Sequence, residues 1–111
     1  QLRAIPLKSI MRSLPVNLNA EKSLEINKTV MFEFNDLDQI FTIHVRGGVA
    51  QLINKQIINP DIVVKTNQQE LKEIFAGLKN VASISLAMTN GSIDVKGGKV
   101  KFLQFLGLFT D

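Results

Sequence analysis

The chain reads as an α+β domain: a five-stranded, mainly antiparallel sheet with helices on one face. Three observations predict it. Large apolar residues alternate from Val30 to Val45 with a turn sequence between them, which is the signature of a hairpin. Two stretches carry apolar residues at helical spacing, Leu7-Ile10-Met11-Leu14 and Leu71-Ile74-Phe75-Leu78. A third candidate helix, residues 99–109, is apolar nearly all round.

Taken in order, Pro6 suits a first helical turn, and Pro15 is expected to stop the helix it opens. Residues 17–27 are polar and turn-rich, with Leu18 and Leu24 as candidate anchors. Val30, Phe32 and Phe34 then share one face of a strand; Asn35-Asp36-Leu37-Asp38 turns; Phe41, Ile43 and Val45 return. Gly47-Gly48 leads to a third strand over residues 49–53, completing a meander, and Asn59-Pro60-Asp61 introduces a fourth over residues 62–66. Asn67 with Glu70 resembles a capping box, so Leu71, Ile74, Phe75 and Leu78 form one core-facing stripe, with Gly77 near its end. Residues 81–88, rich in small and β-branched residues, fit either helix or strand, and a short helix is favoured because Val81, Ile84 and Met88 share a helical face. Asn90-Gly91 turns, Ile93 and Val95 mark a fifth short strand, and Gly97-Gly98 opens the terminal helix.

That terminal helix poses the functional question. Val100, Phe102, Leu103, Phe105, Leu106, Leu108 and Phe109 leave it almost no wet face, so it needs cover on both sides. At about 1.5 Å per residue it reaches only about 16 Å, short of a bilayer core of about 30 Å, and no other segment is long enough to span. The cover must come from the sheet, a greasy ligand, or another chain.

Composition removes several classes. With 111 residues one domain is expected. No cysteine and one histidine, His44, exclude disulfides, thiolate chemistry and a histidine-rich metal site. Thirteen Lys and Arg against ten Asp and Glu, with signs interspersed, describe a solvated surface rather than a nucleic-acid footprint. The chain starts at Gln1 without a signal-like segment, which suggests a processed product or an excised domain. No catalytic constellation emerges. His44 falls on the strand face opposite Phe41, Ile43 and Val45, Asp36 and Asp38 are expected to bond nearby backbone, and Ser83, Ser85 and Ser92 lack a base.

The ordered phrases Phe32-Glu33-Phe34-Asn35-Asp36-Leu37, Phe41-Thr42-Ile43-His44-Val45-Arg46-Gly47-Gly48-Val49, Asn59-Pro60-Asp61-Ile62-Val63-Val64-Lys65-Thr66 and Gly91-Ser92-Ile93-Asp94-Val95-Lys96-Gly97-Gly98 resemble the sterol carrier protein type 2 superfamily. With the Ile5-Pro6-Leu7 start, the chain is most similar to the branch found at the C-terminus of alkyl sulfatases, which belong to the metallo-β-lactamase superfamily. The similarity runs over residues 6–109 of a single domain spanning 1–111. The resemblance implies a non-catalytic module of a larger zinc hydrolase, binding a fatty acyl, sterol or alkyl sulfate-type amphiphile and presenting it to the catalytic domain. It implies no cofactor, and the zinc-binding motifs of that catalytic domain are absent from this chain. Met11, Phe75, Leu78, Ile84, Met88, Phe102, Phe105, Leu106 and Phe109 are the candidate apolar lining, and Lys96, Lys99 and Lys101 the candidate headgroup contacts. The alternative is an interaction or dimerisation module that uses the apolar terminal helix against a catalytic domain or a second copy.

Overall fold

A computed structural model describes residues 4–109. Helix α1 (Leu7–Asn17) is followed by strands β1 (Asn27–Phe34), β2 (Phe41–Arg46), β3 (Val49–Ile53) and β4 (Ile62–Thr66). Helices α2 (Gln68–Phe75) and α3 (Val81–Asn90) come next, then β5 (Asp94–Lys96), α4 (Lys99–Leu106) and a 3₁₀ turn (Gly107–Phe109). The five strands make one sheet in the order β3-β2-β1-β4-β5.

The predicted meander is present: β1 pairs antiparallel with β2, placing Phe32 beside Phe41, and β2 pairs antiparallel with β3. β4 then joins the other side of β1 in parallel register, Phe32 against Val64, and β5 closes that edge antiparallel. The parallel pair obliges the chain after β3 to cross the sheet before β4 begins. Residues 54–61 do so on the face away from the helices. There Thr42 Oγ1 donates to the Lys55 carbonyl at 2.9 Å, and the Thr29 amide donates to Asp61 Oδ2 at 2.8 Å. This strap covers Thr42, which is buried, as is Met31, on a face that alternation alone leaves wet.

The opposite face carries the core. Val30, Phe32, Phe34, Phe41, Ile43, Val45, Ile62 and Val64 pack against Leu7, Met11 and Leu14 of α1, Leu71 and Ile74 of α2, Ile84 and Met88 of α3, and Phe102 and Phe105 of α4. Helix α2 is capped twice. Asn67 Oδ1 accepts from the Glu70 amide at 2.8 Å, and Asp36 Oδ1, brought from the β1–β2 turn, accepts from the Gln68 amide at 3.1 Å. Asp36 thus bonds a backbone far along the chain rather than its own turn, because the parallel β1–β4 pair sets that turn beside the start of α2.

Three local expectations are corrected. Pro15 does not stop α1, which runs to Asn17. Its missing amide falls in the last turn, where a single lost hydrogen bond is tolerated, and burial of Leu14 holds the turn closed. Leu24 is exposed rather than buried; the buried residue of that segment is Ser23, whose hydroxyl donates to the Asn19 carbonyl at 2.8 Å. Leu78 does not continue the core-facing stripe of α2 and is 67% exposed. Gly77, at φ 76°, ends the helix one residue earlier. The Leu78 amide reaches the Glu73 carbonyl and the Gly77 amide the Ile74 carbonyl, a Schellman closure that turns the next side chain outward.

Candidate functional site

The helices do not close over the sheet completely. Between the ends of α1, α2 and α4 and the start of α3 lies a cleft of about 490 Å³. Its walls are Leu14 from α1, Ile74 and Phe75 from α2, Val81 and Ile84 from α3, and Leu103, Leu106 and Phe109 from the terminal segment. Asn17, Lys79 and Asn80 are the polar side chains among its lining.

The terminal helix explains the opening. Phe102 and Phe105 turn into the core, while Leu103, Leu106 and Phe109 pack against its edge and stay partly uncovered. Burial of one face against the sheet is all that a single layer of helices can offer, so an all-apolar helix keeps a surplus, and here that surplus lines the cleft. Aromatic contacts stiffen the wall. The Phe75 ring meets Phe32 edge-on at 5.9 Å and Phe109 at 6.3 Å, and Phe105 meets Phe109 at 5.3 Å.

The candidate apolar set is therefore divided by the fold. Phe75, Ile84, Leu106 and Phe109 come together in the cleft. Met11, Met88 and Phe102 are buried core that the cleft does not reach, and Leu78 points to solvent. Phe105 lines a smaller recess of about 330 Å³ on the other flank of α4, with Ile26, Leu108, Lys28 and Lys101. Of the candidate headgroup lysines, only Lys101 borders a recess, and that is this smaller one; Lys96 and Lys99 are exposed and line neither.

Lys79 is the charged residue of the cleft, and sequence reasoning passed over it. It stands in the α2–α3 connection with no motif around it, and only the Schellman turn carries it to the cleft. Its ammonium lies 2.6 Å from Glu70 Oε1 and 3.8 Å from Glu73 Oε1. The Glu70 carboxylate beside it holds the lysine pKa above its ordinary value, partial burial working the other way. The opening of α3 is capped within the chain, Asn80 Oδ1 accepting from the Ser83 amide at 2.8 Å.

The other titratable candidates lie outside the cleft. His44 Nε2 lies 2.8 Å from Asn27 Oδ1 across the β1–β2 ladder. Asp38 borders a polar recess with Lys8, Gln39 and Lys55. Among the described residues no group of three His, Asp or Glu is placed to hold a metal ion, and no helix is long and apolar enough to cross a membrane.

Comparison with known proteins gives these features a context. The alkyl sulfatase C-terminal family matches residues 1–111. A linear primary-alkylsulfatase of Pseudomonas sp. is 27% identical over 110 residues, covering 97% of this chain and 20% of that protein. The solved stereoselective inverting sec-alkylsulfatase of Pseudomonas sp. superposes with a TM-score of 0.85 at 24% identity, over 98% of this chain and 17% of that one. The solution structure of palmitated SCP2L2 from Aedes aegypti superposes at 0.72 with 10% identity, over 96% of both chains. The fold is thus that of sterol carrier protein 2, and the chain spans about a fifth of the alkylsulfatases it matches.

Proposed function

Since this chain belongs to the alkyl sulfatase C-terminal family, we propose that it is a non-catalytic module holding the tail of a lipid or long-chain amphiphile in the cleft beside α4. The observation that carries this reading is the partly uncovered wall of Leu103, Leu106 and Phe109 facing Phe75 and Ile84 across about 490 Å³, a volume within the usual range of small-molecule sites. A tail in that cleft supplies the cover that the terminal helix lacks. At about 0.8 kcal/mol per methylene removed from water, a chain of about twelve carbons gains enough to exceed the cost of ordering it. The palmitated neighbour shares the fold, which supports an acyl-type cargo. Within a longer alkyl sulfatase, such a module would concentrate alkyl chains beside the catalytic domain and hand alkyl sulfate to it.

The test is titration of delipidated protein with a long-chain fatty acid or alkyl sulfate, followed by calorimetry. Saturable binding is expected in the micromolar range; its absence at high micromolar ligand refutes the reading.

A second reading has its own support. Val81 at the cleft, Leu78 in the α2–α3 connection and Val100 on α4 are 65%, 67% and 66% exposed, and exposed apolar residues suit contact with a catalytic domain or a second copy. Sedimentation at high concentration separates the two readings, since a monomer that takes up no apolar dye supports neither and a dimer supports the second.

A further inference from the structure

The smaller recess, on the other flank of α4, has a polarity that runs along its length. Its helix side is one stripe, Lys101, Gln104, Phe105 and Leu108, spaced i, i+3, i+4 and i+7 over about 10 Å. Its sheet side is Ile26 and Lys28, which alternate onto the same face as Val30 and Phe32. The two cations share one end. The Lys101 stem lies back over Gly98, where an added Cβ would fall 3.3 Å from its Cδ. The adjoining Gly97 abuts the Asp61 backbone, and Asp61 Oδ2 accepts from the amide of Thr29, next to Lys28. The apolar end is fixed by the segment before β1. The Leu108 carbonyl accepts from the Asn19 amide at 2.7 Å, the Ser23 hydroxyl donates to the Asn19 carbonyl, and the Ile26 amide donates to the Ser23 carbonyl. Phe105 and Leu108 are buried and form the floor of about 330 Å³ of open space.

No carboxylate lines this recess. Among the described residues neither Lys28 nor Lys101 has an ion-pair partner, whereas Lys79 in the cleft is held by Glu70 and Glu73. Two unpaired ammonium groups at one end of an apolar trough are complementary to an anion carried on an alkyl chain. We propose that the recess is a second binding site, separate from the cleft, for a single-chain amphiphile with a sulfate or carboxylate head. The head sits between Lys28 and Lys101, where the Gln104 amide can donate to it, and the chain runs along Phe105, Leu108 and Ile26. This site stands on its own residues and does not rest on the cleft being occupied.

The experiment titrates the isotope-labelled 111-residue chain with decyl sulfate below micelle formation and follows its backbone amides by NMR. Amides of residues 26–28 and 101–105 report the recess, and those of residues 77–81 report the cleft. Saturable shifts are expected at the recess, with 1-decanol at least about threefold weaker there because it lacks the charge. The K28Q/K101Q variant should bind decyl sulfate at the recess at least about threefold more weakly, with its effect on the cleft amides unchanged. On the native chain, raising sodium chloride from about 20 mM to about 200 mM should narrow the advantage of decyl sulfate over decanol, a readout that needs no variant. Decyl sulfate shifts confined to the cleft amides overturn the inference and leave the cleft reading intact. Shifts confined to the recess support it and count against the cleft. Decanol equal to decyl sulfate at the recess, or K28Q/K101Q equal to the native chain, overturns it. Sodium sulfate binding there as tightly as decyl sulfate overturns it in favour of a bare anion site, and shifts that appear only above micelle formation overturn it in favour of an aggregated surface.

Discussion

Two truncations, Leu106→Ala and Met11→Ala, should separate cleft wall from core, although the sequence places both residues in one apolar set. Leu106 lines the cleft and is partly exposed, so its loss removes about three carbons from a wall that faces ligand on one side. Taking half of their surface as turned toward a bound tail, the change forfeits about 1.2 kcal/mol of binding, roughly sevenfold in affinity. Because that side chain is only partly buried, the folded state should lose no more than about 1.5 kcal/mol. Met11 is fully buried and does not reach the cleft. Its truncation leaves a void under α1 and should cost about 2–5 kcal/mol, lowering Tm by about 10 °C or more in a domain of this size. Thermal unfolding followed by circular dichroism reads stability, and Nile red displacement by decanol on fully folded protein reads binding. The expected result is a crossover, with Leu106→Ala weak in binding and near-native in stability and Met11→Ala the reverse. If Met11→Ala weakens binding as much as Leu106→Ala while folded, the assignment of cleft and core is wrong.

Two further outcomes follow from the geometry. Gly97→Ala should destabilise by more than about 2 kcal/mol in urea unfolding, since Gly97 has φ +106° and an added Cβ would lie 2.2 Å from the Asp61 carbonyl oxygen at the β4–β5 junction. Gly107→Ala, with open space around it and an ordinary φ of −63°, is the control expected to fold normally. The Lys79–Glu70 pair predicts a pH dependence with a definite sign. The folded lysine pKa is raised above the ordinary 10.5, so the folded state holds its proton more tightly than the unfolded chain. The contribution is therefore complete below pH 10.5 and disappears as pH climbs through the raised folded value. The stability difference between native protein and Glu70→Gln, measured by urea unfolding from pH 8 upward, should stay flat and then shrink above pH 10.5. A difference that grows over that interval contradicts the pairing.

Strand and helix identities were legible in the residues because they depend on near neighbours. The alternation through Phe32, Phe34, Phe41 and Ile43 fits only a half-buried strand, and Asn67 caps the helix that its spacing from Leu71 and Ile74 announces. The overload of apolar residues on the terminal helix was equally visible, and with it the need for cover. Placement was not. That β4 lies parallel to β1 rests on pairing between segments 32 residues apart, and this crossing brings Asp36 to the start of α2. Local spacing at Gly77 decided Leu78, because one left-handed residue rotates the next side chain out of the stripe.

From the chain alone come the fold class, the helix and strand order and the greasy terminal segment, all functions of periodicity over a few residues. Tertiary structure alone settled where the larger cleft beside α4 opens, and which cation meets it. Lys96, Lys99 and Lys101 crowd the helix in sequence, yet Lys79 reaches the cleft, and two carboxylates reach Lys79. Charge pairing and solvent access depend on distances across the fold, and spacing along a chain does not encode them.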